Sequence, residues 1–196
     1  MKYIIVLGDG MADEPIAQLG GQTPLSYSKT PCIPEGMSPG SDTANLAVLG
    51  YSPKKYYTGR SPLEALSIGV DMKPDDIAIR CNLVTLSEEE TYEKKRMIDH
   101  SSSEISTEDA SVLLEAVKNE LQKDTYKFYL GTSYRHCLIW KMGQVVELTP
   151  PHDILGNEII NYLPEDKVLK EMMKRSFDIL DQHQINIERA KKGLHK

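Results

Sequence analysis

The sequence predicts an α/β fold: an α/β segment over residues 1–74, an α+β sheet-and-helix unit over 75–163, and a C-terminal helix with a linker over 164–196. Three observations carry that reading. The apolar run YIIVL ends in Gly-Asp-Gly, as a strand buried on both faces of an α/β sheet would. Short strand-like runs (IAIRCNLVTL, YKFYLG, RHCLIWK) crowd the middle of the chain. STEDASVLLEAVKNELQK and PEDKVLKEMMKRSFDILDQH space their apolar residues as amphipathic helices do.

The elements follow in order. Residues 20–40 are rich in proline and glycine and read as loop. A helix is expected from Asp42 or Thr43, with Ser41 placed as a cap and Gly50 as the stop. SPLEALSIG predicts a second helix, with Ser61 as cap, Pro62 in the first position and Glu64 three residues after the cap. IAIRCNLVTL, the turn SEEET and YEKKRMI predict a hairpin. A helix over 106–123 is capped by Ser106 or Thr107. YKFYLG, RHCLIWK and QVVEL predict three strands, the last two joined at Met142-Gly143. EIINYL is a short helical piece, Pro164 opens a long helix, and the lysine-rich end over 189–196 reads as a solvated terminus. The unit boundary is placed near residues 72–76.

Composition excludes several function classes. The 196 residues are 40% apolar and 27% charged, with net charge −6 and no basic stripe, which argues against a nucleic-acid partner. The three cysteines, Cys32, Cys81 and Cys137, show no CxxC spacing, which predicts a reducing compartment. About five apolar residues precede Gly8, too few for a signal segment or a membrane span, so the chain reads as soluble and cytoplasmic with no membrane partner.

Asp9 follows the first predicted strand, where ligands and metals collect in open parallel sheets, and its glycine neighbours let backbone approach an ion or phosphate. Ser41 sits at a loop-to-helix junction, a place that suits either a cap or a nucleophile facing phosphate. Arg60, Arg80, Asp99, His100, Arg135, His136, His152 and Asp153 lie at predicted strand ends or turns. Such a cluster suits a small dianion, because arginine grips carboxylate and phosphate through two donors. Strand alternation aims Arg135 and His136 to opposite faces. For Asp99-His100, structural or substrate contact outweighs metal ligation, while His183 and His195 read as structural or surface residues.

GDGMAD, PEGMSPGSDTANLAVLGYSP and YYTGRSPLEALSIGV together resemble the archaeal-type cofactor-independent phosphoglycerate mutases of the alkaline phosphatase superfamily. The resemblance continues through MIDHSSSEISTEDA, SYRHCLIWK and TPPHDILGNEI, over most of the chain. It implies part of an alkaline-phosphatase-like core followed by an inserted α+β domain that binds glycerate. Asp9 matches a metal-ligand aspartate, and Ser41 matches the nucleophile that touches a metal and becomes phosphorylated. The implied cofactors are two divalent ions (Mn, Mg or Zn), and the implied reaction interconverts 3- and 2-phosphoglycerate through phosphoserine. Arg60, Arg80, Asp99, Arg135, His136, His152 and Asp153 become expected substrate contacts, with phosphoglycerate as the partner.

Two departures qualify the expectation. Relatives carry a helix and a strand between the segments matching SKTP and PEG, where this chain runs directly on. The family's remaining metal ligands lie further downstream, and no Asp-x-x-x-His spacing is present. The chain is therefore expected to be part of a mutase, with little or no turnover alone. The competing readings are another phosphotransferase or phosphohydrolase of the same superfamily, and a non-catalytic module that binds a phosphorylated acid.

Overall fold

The computed structural model describes residues 15, 17–21, 33–37 and 40–196. The expected strand over 3–7, Asp9 and Cys32 lie outside the described residues. By its contacts the chain divides into two compact units, Met1–Thr58 and Gly59–Lys196.

In the first unit a 3-10 turn, Ala17–Leu19, precedes helices α1 (Ser41–Val48) and α2 (Pro53–Tyr56). Gly40, in extended backbone, occupies the cap position, so Ser41 is the first helical residue and not the expected cap. The amide of Thr43 is taken by Asp42 Oδ1 at 3.0 Å, and Thr43 Oγ1 donates back to the Gly40 carbonyl at 2.9 Å. The tyrosine hydroxyl of Tyr57 donates to the other Asp42 oxygen. Gly50 ends α1 as expected: its φ of +84° lets Tyr51 N reach back to Leu46 O at 2.9 Å.

The second unit opens with α3 (Arg60–Ser67), which starts at Gly59 without a side-chain cap. Ser61 and Glu64 therefore do not form the expected cap pattern. Strand β1 (Ile77–Asn82) leads to β2 (Thr85–Leu86), a 3-10 turn Tyr92–Lys94, β3 (Met97–Asp99) and helix α4 (Thr107–Leu121). Ser106 caps α4 by accepting from Asp109 N at 3.1 Å, as the sequence predicts. Strands β4 (Tyr126–Thr132) and β5 (Arg135–Trp140) follow as a tight hairpin.

The sheet runs β1-β5-β4, antiparallel throughout. β5 is thus the central strand, with Asn82 opposite Arg135 and Ile77 opposite Trp140. The expected hairpin survives only as the ribbon β2–β3, because β1 leaves it to join β5. The segment QVVEL is not a strand: β1 and β4 already occupy both edges of β5, and Val145 is 87% exposed.

One sheet face packs Cys137 and Ile139 with Ala65 of α3 and Val70. The other packs Ile79, Phe128 and Leu138 against Leu114 and Val117 of α4. Helix α5 (Lys167–Asp181) adds Leu169 to that core and is capped by Asp166, so Pro164 precedes the helix without opening it. The expected solvated tail instead continues as helix α6 (Gln184–Lys191), capped by His183 Nδ1, with Arg189 buried. Among the described residues no helix is long and apolar enough to cross a membrane.

Candidate functional site

Strand alternation puts Arg80 and Asn82 on one face of β1, and their register partners Cys137 and Arg135 on the same face of β5. Arg80 Nε donates to Asn82 Oδ1 at 3.1 Å, and Arg80 Nη1 reaches Glu64 Oε1 at 3.2 Å. The same carboxylate oxygen accepts from Arg60 Nε at 2.8 Å. Asn82 Nδ2 donates to the His100 carbonyl at 3.3 Å, tying the end of β1 to the loop after β3. The His100 ring meets Tyr134 edge-on at 5.9 Å and His152 at 6.1 Å. Arg135 lies over the Tyr134 ring at 5.5 Å, and His152 Nε2 approaches Asp153 Oδ1 at 3.5 Å.

Hydrogen bonds thus link Arg60 and Arg80 to the His100 carbonyl through Glu64 and Asn82. Ring contacts lead on to Arg135 and to His152 with its neighbour Asp153. These arginine, histidine and aspartate residues were all expected from the sequence. Guanidinium groups outnumber carboxylates along this path. Planar donors on a half-exposed surface suit an anion with several oxygens.

Asp99 plays a different part. Its carboxylate accepts from Ser101 N and Ser101 Oγ, both at 2.8 Å, and from Ser103 N. Burial alone would raise its pKa, but the hydrogen bonds from Ser103 and Ser101 outweigh that and hold it below the ordinary value. The loop it braces has three successive residues at positive φ, Ser102 (49°), Ser103 (57°) and Glu104 (49°). Such backbone is unfavourable for residues with a side chain, and it persists because the surroundings enforce it. Buried Arg189 supplies part of that enforcement, donating from Nη2 to the Ser102 carbonyl at 2.6 Å.

His136 faces the opposite side from Arg135, as alternation predicts, and is buried against the helices at 4% exposure. Its Nδ1 accepts from Gly131 N at 3.2 Å, and burial pushes its pKa down to about 4. Gly131 must be glycine, since a Cβ there would strike the Arg135 carbonyl oxygen. Desolvation pushes the thiols of half-buried Cys81 and buried Cys137 up to about 12 and about 11, so both behave as small hydrophobes.

Ser41 is exposed in the first turn of α1, and among the described residues its hydroxyl makes no hydrogen bond. Among the described residues no group of three His, Cys, Asp or Glu side chains converges as metal ligands.

Glu64, Asn82, Tyr134 and Arg189 were not candidates from the sequence. Asn82 was within reach, two residues from Arg80 in a strand. Glu64 was hidden by its capping-box spacing.

A profile of the 2,3-bisphosphoglycerate-independent phosphoglycerate mutase family matches residues 29–186. A relative of that name from Methanosarcina barkeri is 44% identical over 213 positions, covering 98% of this chain and 52% of the relative. One from Methanothermobacter thermautotrophicus, named as phosphoglycerate mutase 2, is 40% identical, with 98% and 51% covered. Both alignments are longer than the 196-residue chain, so these relatives carry residues that it lacks. The solved structure of a cofactor-independent phosphoglycerate mutase from Thermoplasma acidophilum superimposes with a TM-score of 0.57 at 26% identity, covering 94% of this chain and 53% of that one. The chain spans about half the length of the curated relatives it matches. On this match, over most of its residues, the chain belongs to the 2,3-bisphosphoglycerate-independent phosphoglycerate mutase family.

Proposed function

We propose that the chain contributes two parts of a phosphoglycerate mutase: the segment carrying the serine nucleophile, and a unit that grips the phosphorylated acid. The observation that carries this reading is the arginine-rich face of the second unit, with Glu64 Oε1 shared by Arg60 and Arg80 beside Asn82 and Arg135. Family membership supplies the substrate class.

In this reading the Ser41 hydroxyl attacks the phosphorus of 3-phosphoglycerate. The bond from phosphorus to the C3 oxygen breaks, and that oxygen takes up the proton that the Ser41 hydroxyl gives up. The glycerate reorients, and the C2 hydroxyl oxygen attacks the phosphorus of phosphoserine. The bond from phosphorus to Ser41 Oγ breaks, and the C2 hydroxyl proton passes to Ser41. Arg80 and Arg135 are the proposed holders of the carboxylate. The first turn of a helix favours phosphate through its free amides and dipole. Divalent cations (Mn²⁺, Mg²⁺ or Zn²⁺), with Asp9 among the ligands, would stabilise the serine alkoxide when bound. The described residues assemble no ligand set for them. His152 and Asp153 flank the acid, while Asp99 shapes the loop that presents His100. A cytoplasmic setting accords with this substrate.

The test is direct. Titration of the 196-residue chain with 3-phosphoglycerate, with glycerate as control, should shift the arginine Nε signals saturably. Arg80→Ala should weaken binding by about 10- to 100-fold, the loss of a charge-assisted contact. An Mn²⁺-against-EDTA assay of the same chain should show little 2-phosphoglycerate. Absence of saturable binding would refute the proposed grip, and robust metal-dependent turnover would refute its restriction to binding.

A further inference from the structure

Between the sheet and helices α4 and α5 lies a cleft of about 750 Å³, with Arg80 among the residues at its border. Ile79, Phe128 and Leu138 of the sheet, Leu113 of α4 and Leu180 of α5 line it, with exposed residues such as Thr149 at its border. The lining is mostly apolar but includes charged residues such as Lys95 and Asp181. Two buried polar atoms of lining residues have no hydrogen-bond partner among the described residues: His136 Nε2 and Asn186 Oδ1. Both residues are 4% exposed.

Their chemistry is determined by their other contacts. His136 Nδ1 accepts the Gly131 amide, so the proton of the neutral ring sits on Nε2, which is therefore a donor. Asn186 Nδ2 donates to the Leu180 carbonyl at 2.8 Å, which leaves Oδ1 as an acceptor. The cations that border the cleft are already engaged. Lys95 Nζ donates to the Ser87 and Glu89 carbonyls, Lys196 Nζ pairs with Asp181, and Arg80 pairs with Glu64. An anion would have to displace these contacts to reach the cations. Buried polar atoms are normally satisfied, and a mostly apolar cleft with a few convergent polar groups is the usual form of a small-molecule site.

We propose that this cleft binds a small uncharged molecule, an alcohol or carboxamide with a compact hydrocarbon body. Its acceptor receives a hydrogen bond from His136 Nε2, its donor reaches Asn186 Oδ1, and its body lies against Ile79, Phe128 and Leu138. The proposal does not depend on the mutase reading.

The probe is benzyl alcohol, with toluene and benzoate as comparators, titrated into the intact chain and followed by NMR. Benzyl alcohol should bind saturably and move the His136 ring and Asn186 side-chain amide signals. Toluene lacks the polar contact and benzoate carries an unmatched charge, so each should bind at least about tenfold more weakly. His136→Phe and Asn186→Leu should each bring benzyl alcohol to within about threefold of toluene. If either variant unfolds, the three-ligand comparison on the unaltered chain still decides. No saturable binding, equal binding of benzyl alcohol and toluene, or an unchanged preference in folded variants would overturn the proposal.

Discussion

Arg80 on β1 and Glu64 on α3 meet at 3.2 Å, with side chains 24% and 31% exposed. The pair joins a strand to the helix that covers it. At this exposure it adds little stability, and its larger effect is electrostatic. The carboxylate offsets positive charge from both Arg80 and Arg60.

Removing that charge while keeping the shape should therefore favour an anionic ligand. Glu64→Gln is expected to tighten 3-phosphoglycerate binding a few-fold in dilute buffer, and the gain should fade above about 0.2 M salt. Calorimetric titration at two ionic strengths checks this. Weaker binding in the variant would mean that Glu64 acts chiefly by orienting Arg80.

Ser41→Ala separates a cap from a nucleophile. An N-cap serine contributes about 1 kcal/mol, but Ser41 lies inside the first turn of α1. Urea denaturation should find stability changed by less than about 0.5 kcal/mol. Phosphorylation of the residue in an active, longer mutase should disappear.

Gly131→Ala should cost about 1–3 kcal/mol, because the added methyl meets the Arg135 carbonyl and the hairpin must spread. The same change would disturb the Gly131 amide bond to His136. Thermal unfolding provides the measurement.

His136 predicts an acid limb in the stability profile. Its folded pKa of about 4 lies below the ordinary histidine value of 6.5, so the unfolded chain binds the proton more readily. Stability is thus complete above about pH 6.5 and falls as the pH drops towards 4, by at most on the order of 3 kcal/mol. His136→Phe should flatten that stretch. A slope that persists in the variant would assign it to other groups.

Arg189→Met leaves the Ser102 carbonyl without its donor and loosens the braced loop. We expect a loss of about 2–3 kcal/mol, with faster hydrogen exchange at Ile105, whose amide bonds Ser101 O at 3.3 Å. Arg189→Lys should recover part of it.

Much of this was legible in local sequence. The Ser106 cap and the periodicity of α4 agree, so that helix was placed correctly. Arg135 and His136 diverge because a strand alternates. Pairing partners were not legible: IAIRCNLVTL reads as one strand, yet after Asn82 the chain breaks away and Leu83 N bonds Tyr134 O. Nothing in the alternation of β1 identifies β5 as its partner. Ser41 looked like a cap because its residue type suits one, but Gly40 takes that position with extended backbone. The network around Glu64 depends on helix α3 lying over the sheet, a tertiary fact with no local signature.

The placement of β5 between a close partner and a remote one also orders assembly in time. β4 and β5 meet across Ser133 and Tyr134 alone, whereas Asn82 reaches Arg135 only after the ribbon and α4 have been spanned. Closing short loops is fast and long-range pairing is slow, so we expect the hairpin to form early and β1 to dock late. Arg80 and Asn82 arrive with the late strand. Affinity for a phosphorylated acid would then serve as a gauge of completed folding, absent from any intermediate in which β5 still lacks its second neighbour.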